Sequence, residues 1–299
     1  MGIKLTWSLK NTENTIFFAL ILSLFMNFLH LKNGLQEIAD NYEIFSIDLW
    51  GVVHNGISLN YSAMEVLDNL KRKNKKFILM TNAPRPRQNV ANFLSKLNFN
   101  KDYYQNIFTS GDVALNALRL DSHGKNFFHL GPKRDTNLFF EFKEKRKDKI
   151  ESAEFILCTG LFDGQKNNLS YYKNLLKEYV DKKMVCTNPD LIVHRGKKKE
   201  YCAGSVAKVF EEINGKVIYY GKPYPEIYKE CFQNAKKVLV IGDNLNTDIK
   251  GANNMRYDSL FIKNGIHLDE FKNLTSDSFD KILSKYQVKI DYYQNRLLW

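Results

Sequence analysis

The stretch IFSIDLWGVVHNG, residues 44–56, decides how the rest of the chain is read. Mostly apolar residues lead into Asp48, followed by Leu-Trp-Gly, a β-branched pair and a polar His-Asn-Gly turn. An apolar run that ends in an acid and then a glycine has the pattern of a buried strand that delivers a carboxylate to a loop. The tryptophan two residues past the acid needs its own explanation.

Outward from this stretch, strand and helix patterns alternate. YEIFSID (42–48) reads as a strand and SAMEVLDNLKRKN (62–74) as a helix. KKFILMTN (75–82) reads as a second strand, stopped by the prolines of APRPR. VANFLSKLN is helical, NIFTSG (106–111) a third strand and DVALNALRL helical again. Such alternation predicts a parallel sheet covered on both faces. Between about 122 and 205 lie further short strands, NFFHLG, AEFILCTGL and KMVCTNPD, which read as a second α/β domain inserted into the first. The first pattern is expected to resume at KVIYYGKPYPEIYKECFQNA and to continue through VLVIGD (238–243) and DSLFIKNG. The predicted division is an N-terminal apolar segment at 1–32, core at 33–112, the inserted domain at 113–205, and core with a C-terminal tail at 206–299. The tail YQVKIDYYQNRLLW reads as a terminal helix on the core or a partner contact.

Bulk properties narrow the classes. The chain has 299 residues, 44% of them hydrophobic and 13% aromatic, enough for a large core. Its net charge of +11 sits largely in short runs such as FKEKRKDKIE (142–151) and HRGKKKEY (194–201). These read first as solvated faces and next as attraction for an anionic ligand. No zinc finger, RNA-binding aromatic motif or basic heptad region supports a nucleic-acid partner. Cys158, Cys186, Cys202 and Cys231 form no C-x-x-C pair, so they read as reduced core residues of a cytoplasmic protein. Residues 16–29, IFFALILSLFMNFL, leave two readings. One is a membrane anchor, for which the block is short. The other, preferred, takes Met26 as the true start, leading into an amphipathic helix and the first strand.

Four features fall at the C-terminal ends of predicted strands: Asp48, Thr81, Lys222 of GKP, and Asp243 with Asp248 in GDNLNTD. In an open parallel sheet that edge is where ligands bind. Three carboxylates there suit a divalent cation, and Mg²⁺ takes oxygen ligands. A threonine hydroxyl and a lysine ammonium suit a phosphoryl group, and Asp48, one of the three carboxylates, can attack phosphorus. GKP lacks the Ser or Thr of a Walker A loop, and no G-x-G-x-x-G follows the first strand.

In that order the motifs DLWGVVHNG, MTN, GKPYPEIY and GDNLNTDIKGA resemble the haloacid dehalogenase-like hydrolase superfamily, over residues 33 to about 265. TSGDVA and CTNPD narrow the resemblance to subfamily IIA. It implies a doubly wound, Rossmann-like parallel α/β core with an inserted C2-type cap, and a Mg²⁺-dependent phosphatase acting on a small phosphorylated metabolite. Asp48 would be nucleophile and metal ligand, the Trp50 backbone carbonyl a second ligand, Asp243 a third, and Asp248 a ligand or the orienter of a metal-bound water. Thr81 and the Asn82 backbone would hold the transferring group and Lys222 would balance its charge. Asn188, Pro189 and Asp190 would face the site from the cap and select substrate. Related caps pair, so a homodimer through the cap is the analogous expectation.

One position departs from the pattern. These phosphatases carry a second aspartate two residues after the nucleophile, where this chain has Trp50. General acid-base help of the kind that aspartate gives is worth about 10²–10⁴-fold, and indole cannot supply it. Three consequences are open: a substrate with a good leaving group such as an acyl phosphate, a substitute acid such as His54 or a cap residue, or poor turnover. The last would make the chain a ligand-binding or regulatory protein on an enzyme scaffold. D-x-W-G-V-x-H-x-G resembles an uncharacterised branch of subfamily IIA.

Overall fold

The computed structural model describes residues 28–232, 235–272 and 276–299, with backbone alone at 276–277. Its strands in chain order are β1 (Leu29–His30), β2 (Ile44–Asp48), β3 (Lys76–Thr81), β4 (Ile107–Thr109), β5 (Phe127–Leu130), β6 (Arg146–Lys147) and β7 (Phe155–Cys158). They continue as β8 (Lys183–Cys186), β9 (Ile192–Arg195), β10 (Lys198–Tyr201), β11 (Lys216–Tyr219), β12 (Val238–Gly242), β13 (Asp258–Ile262) and β14 (Tyr292–Gln294).

Seven strands form the larger sheet in the order β1-β14-β13-β12-β2-β3-β4, every pair parallel. Side chains alternate across a strand, and β12 shows what that does here. Leu239 and Ile241 join one apolar layer with Phe45, Ile47 and Leu79, while Val238 and Val240 join the other with Met80 and Tyr228. A strand apolar on both faces has to be covered on both, which explains the continuous run VLVIG. The strands of Asp48 and Asp243 are direct neighbours, Ile47 pairing with Ile241. Their two carboxylates therefore emerge side by side at one sheet edge.

The inserted domain holds a five-stranded parallel sheet, β11-β8-β7-β5-β6, and a separate antiparallel hairpin, β9–β10. Ile156 and Cys158 face one cap layer, Phe155 and Leu157 the other. This doubly wound core with an α/β cap is the expected fold class.

Several local expectations change. The helix Ala203–Glu212 and strand β11 belong to the cap: Phe210 packs with Tyr172 and Met184, and Tyr219 pairs with Cys186. The cap sheet thus runs past 205, and KVIY is a cap strand rather than the resumption of the core. Its apolar alternation looks the same for either sheet, so only the tertiary pairing decides. The tail is a strand rather than a helix, with β14 lying between β13 and β1. Residues 29–30 already join the core sheet, and the expected amphipathic helix is two short 3₁₀ turns, Leu35–Glu37 and Ala39–Asn41. Most of the apolar block 16–29 lies outside the described residues, among which no helix is long and apolar enough to cross a membrane. All four cysteines are free, three of them buried.

Candidate active site

The parallel topology brings Asp48, Asp243 and Asp248 together at the carboxyl edge of the larger sheet. One oxygen from each lies within 4.8 Å of the others, and all three residues are buried. Lys222 sits in their midst: its ammonium donates to Asp48 Oδ1 at 2.5 Å, to Asp248 Oδ1 at 2.7 Å and to the Met80 carbonyl at 3.0 Å. Fully ionised, three carboxylates against one ammonium would leave a formal charge of −2 in a buried cluster. That is the balance a divalent cation would complete, with the oxygen donors Mg²⁺ takes. The Trp50 carbonyl, expected as a further ligand, accepts no hydrogen bond from any described residue.

The electrostatics follow from burial. Desolvation pushes the Asp48 carboxyl well above the usual range, against the pull of Lys222, with Asp248 and Asp243 adding to the rise. Burial, then Asp248, pushes Asp243 to about 8. For Lys222, burial alone would favour the neutral amine, but Asp248 and Asp48 outweigh it and hold the ammonium above its ordinary range.

Local backbone makes this crowding possible. Gly51 has φ 96°, and an added Cβ would lie 2.1 Å from Asp243 Oδ2, so only glycine fits beside the strand end. Asp243 is held from the other side by the Ile266 amide at 2.6 Å, and Asp248 accepts from the Asn244 amide at 3.1 Å. The loop carrying Ile266 gives no local signal in the sequence.

Thr81 ends β3 and lines the same cavity of 560 Å³ as the three aspartates. Its Oγ1 accepts from the Ala83 amide at 3.2 Å. The Asn82 side chain pins the core to the cap linker: Oδ1 accepts from the Lys222 amide at 2.7 Å, while Nδ2 donates to the Lys222 carbonyl at 3.0 Å and to Asp190 Oδ1 at 3.1 Å. Asp190 lines the cavity from the cap, its carboxyl pushed by burial to about 6. Asn188 instead faces a neighbouring cavity of 470 Å³, and its Oδ1 caps the Asp190 amide. Pro189 lines neither of these two cavities. A Cβ added to Gly221 would lie 2.9 Å from its ring. Of the three cap residues expected to meet substrate, Asp190 alone shares the cavity of Asp48.

Trp50 and His54 turn away from proton transfer. The indole N–H donates to the His194 carbonyl of the cap at 2.8 Å, and the Arg195 guanidinium lies 5.1 Å from the ring centroid. His54 is buried, and burial followed by Arg195 lowers its pKa to about 4, so the ring is neutral at pH 7. Its Nδ1 accepts from the Gly56 amide at 3.0 Å. Arg195 comes from the basic run read in the sequence as a solvated loop, and nothing local foretold its place on an indole.

Comparison with known proteins agrees with this fold. The haloacid dehalogenase-like hydrolase family profile matches residues 45–143, and a HAD-hydrolase-like profile matches residues 219–285. A haloacid dehalogenase-like family hydrolase from Brucella suis 1330 superposes with a TM-score of 0.76 at 28% identity, covering 89% of this chain and 99% of its own. A possible sugar phosphatase from Cytophaga hutchinsonii gives 0.70 at 19% identity, over 89% of this chain and 98% of its own. The p-nitrophenyl phosphatase from Archaeoglobus fulgidus gives 0.64 at 19% identity, over 86% and 97% respectively. These two phosphatases share the fold with this chain. No curated protein sequence matches it.

Proposed function

The chain belongs to the haloacid dehalogenase-like hydrolase superfamily, and from that premise we propose that it is a Mg²⁺-dependent phosphohydrolase acting on a small phosphorylated metabolite. The observation that carries the reading is Lys222 bound to Asp48 and Asp248 beside Asp243, an anionic pocket with one fixed cation. Bound Mg²⁺, held by Asp48, Asp243, Asp248 and the Trp50 carbonyl, would neutralise the carboxylates and draw charge from phosphoryl oxygens.

In the first step an Asp48 oxygen forms a bond to phosphorus, and the bond from phosphorus to the leaving oxygen breaks with its electron pair. Lys222 offsets the charge on the transferring group and Thr81 donates its hydroxyl to it. In the second step water attacks the aspartyl-phosphate, releasing phosphate and restoring the Asp48 carboxylate.

The indole N–H at position 50 is held by the His194 carbonyl and is far too weak an acid to protonate the leaving oxygen. The substrates that fit are those whose leaving group departs as a stable anion, acyl phosphates foremost. Asp190, an ionisable cap group that lines the cavity with His194 and Lys197, is a candidate to serve esters. A second reading follows from Trp50: a ligand-binding or regulatory protein that keeps the metal site and turns over poorly.

Phosphate release from a panel of esters and acyl phosphates, with Mg²⁺ and beside Asp48→Asn, separates these readings. Release from acyl phosphates in preference to esters supports the proposal. No release above the variant on any compound leaves the binding protein.

A further inference from the structure

The residues that make the opening stretch unusual, Trp50, His54 and Gly56, are parts of a single construction. Phe93 stacks near-parallel to the indole, at 6.4 Å and 9°. His54 meets it edge-on at 5.0 Å and meets Phe93 at 5.5 Å. Gly56 has φ 83°, and an added Cβ would fall 2.6 Å from Trp50 Cζ2, so glycine is required both for the turn and for the ring. His54 fixes that turn through its bond from the Gly56 amide. The loop therefore builds a socket around the indole.

What the socket faces is the cap hairpin β9–β10. Its backbone takes the indole N–H at the His194 carbonyl, and Arg195 lies over the ring, its guanidinium 3.6 Å from Glu200 on the opposite strand. One residue on, the Gly196 amide donates to the Asn55 carbonyl at 3.1 Å, a second bond between hairpin and core loop. The hairpin also forms wall for both cavities: His194 and Lys197 line the one holding Asp48, Arg195 and Lys198 its neighbour.

We propose that Trp50 is a clasp, a positioning residue that holds the β9–β10 hairpin closed over the nucleophile. An aspartate at position 50 could donate no N–H to a carbonyl and offer no ring to a guanidinium. The side chain two residues past the nucleophile thus governs closure of the cap, and opening must break the indole hydrogen bond and the guanidinium stack together. This goes beyond the phosphohydrolase reading and stands whether or not phosphate is released.

Hydrogen exchange of the full chain, followed by mass spectrometry, tests it without substrate. Trp50→Phe removes the N–H and keeps a ring; Arg195→Gln removes the guanidinium from the partly exposed hairpin. Each should raise exchange in the peptide spanning 192–201 by about fivefold, the worth of one net hydrogen bond or cation–π contact. Exchange in β2 and β12 should stay unchanged. Unaltered hairpin exchange in both variants would overturn the clasp, as would a rise spread evenly over hairpin and core strands.

Discussion

Lys222 Nζ lies 2.5 Å from Asp48 Oδ1, an ion pair reached across 174 residues of chain and buried from solvent. The lysine arrives from the segment after the cap and the aspartate from the strand before it, so the pair closes the core around the insertion. Its second bond, to Asp248, ties the last motif to the first and third.

Removing that cation leaves buried carboxylates facing one another. Lys222→Met is expected to destabilise the metal-free protein by about 3–5 kcal/mol, the usual cost of breaking a buried pair. Chemical denaturation with and without Mg²⁺ measures it, and added Mg²⁺ should recover part of the loss. A change under about 1 kcal/mol would mean the pair is solvated.

A pH dependence follows from the raised carboxyls. Asp243 sits at about 8 and Asp190 at about 6, both lifted first by burial. From the ordinary carboxylate range up to those values, the folded chain keeps protons that the unfolded chain has lost. The contribution of these two carboxyls to the stability of the metal-free protein therefore falls as pH rises from about 4 to 8. Mg²⁺ should raise Tm by more at pH 8 than at pH 5. Thermal scans at the two pH values check the sign, and an equal or reversed Mg²⁺ effect goes against it.

Gly51→Ala puts a methyl where the Asp243 carboxylate lies, on backbone at φ 96°. The variant should keep the fold and lose at least tenfold in Mg²⁺ affinity by calorimetric titration. Unchanged affinity would show that Asp243 is dispensable to the cation.

Trp50→Asp restores the side chain that the resemblance expects at this position. It should create or raise hydrolysis of phosphate esters by about 10–10²-fold while leaving acyl phosphates little affected, because only the poorer leaving group needs a proton. Equal changes on both substrate types would mean that the missing acid is not what limits the enzyme.

What was legible in the sequence shares one property: it is carried by runs short enough to read locally. IFSID and VLVIGD announce buried strands ending in acids, and the order of Asp48, Thr81, Lys222 and Asp243 gives the sheet edge where they meet. KVIY was misplaced because a strand's own residues do not say which sheet it joins, and its partner Lys183–Cys186 lies far back in the chain. The tail was misread because YYQ, in the interior of a parallel sheet, alternates no more cleanly than a helix turn. The Trp50 socket could not be read at all. Phe93 and Arg195 stand 43 and 145 residues from the indole they meet, and a lysine-rich loop such as 194–201 is usually solvated.

Attack by Asp48 on phosphorus is tested by trapping the aspartyl-phosphate. The protein is mixed with Mg²⁺ and an acyl phosphate, quenched in acid within its first turnovers, digested and read by mass spectrometry. One added phosphoryl group is expected on the peptide containing Asp48, absent from Asp48→Asn and lost on incubation at neutral pH. A chain that releases phosphate with no phosphoryl group on that peptide, or carries it on another residue, would contradict the account.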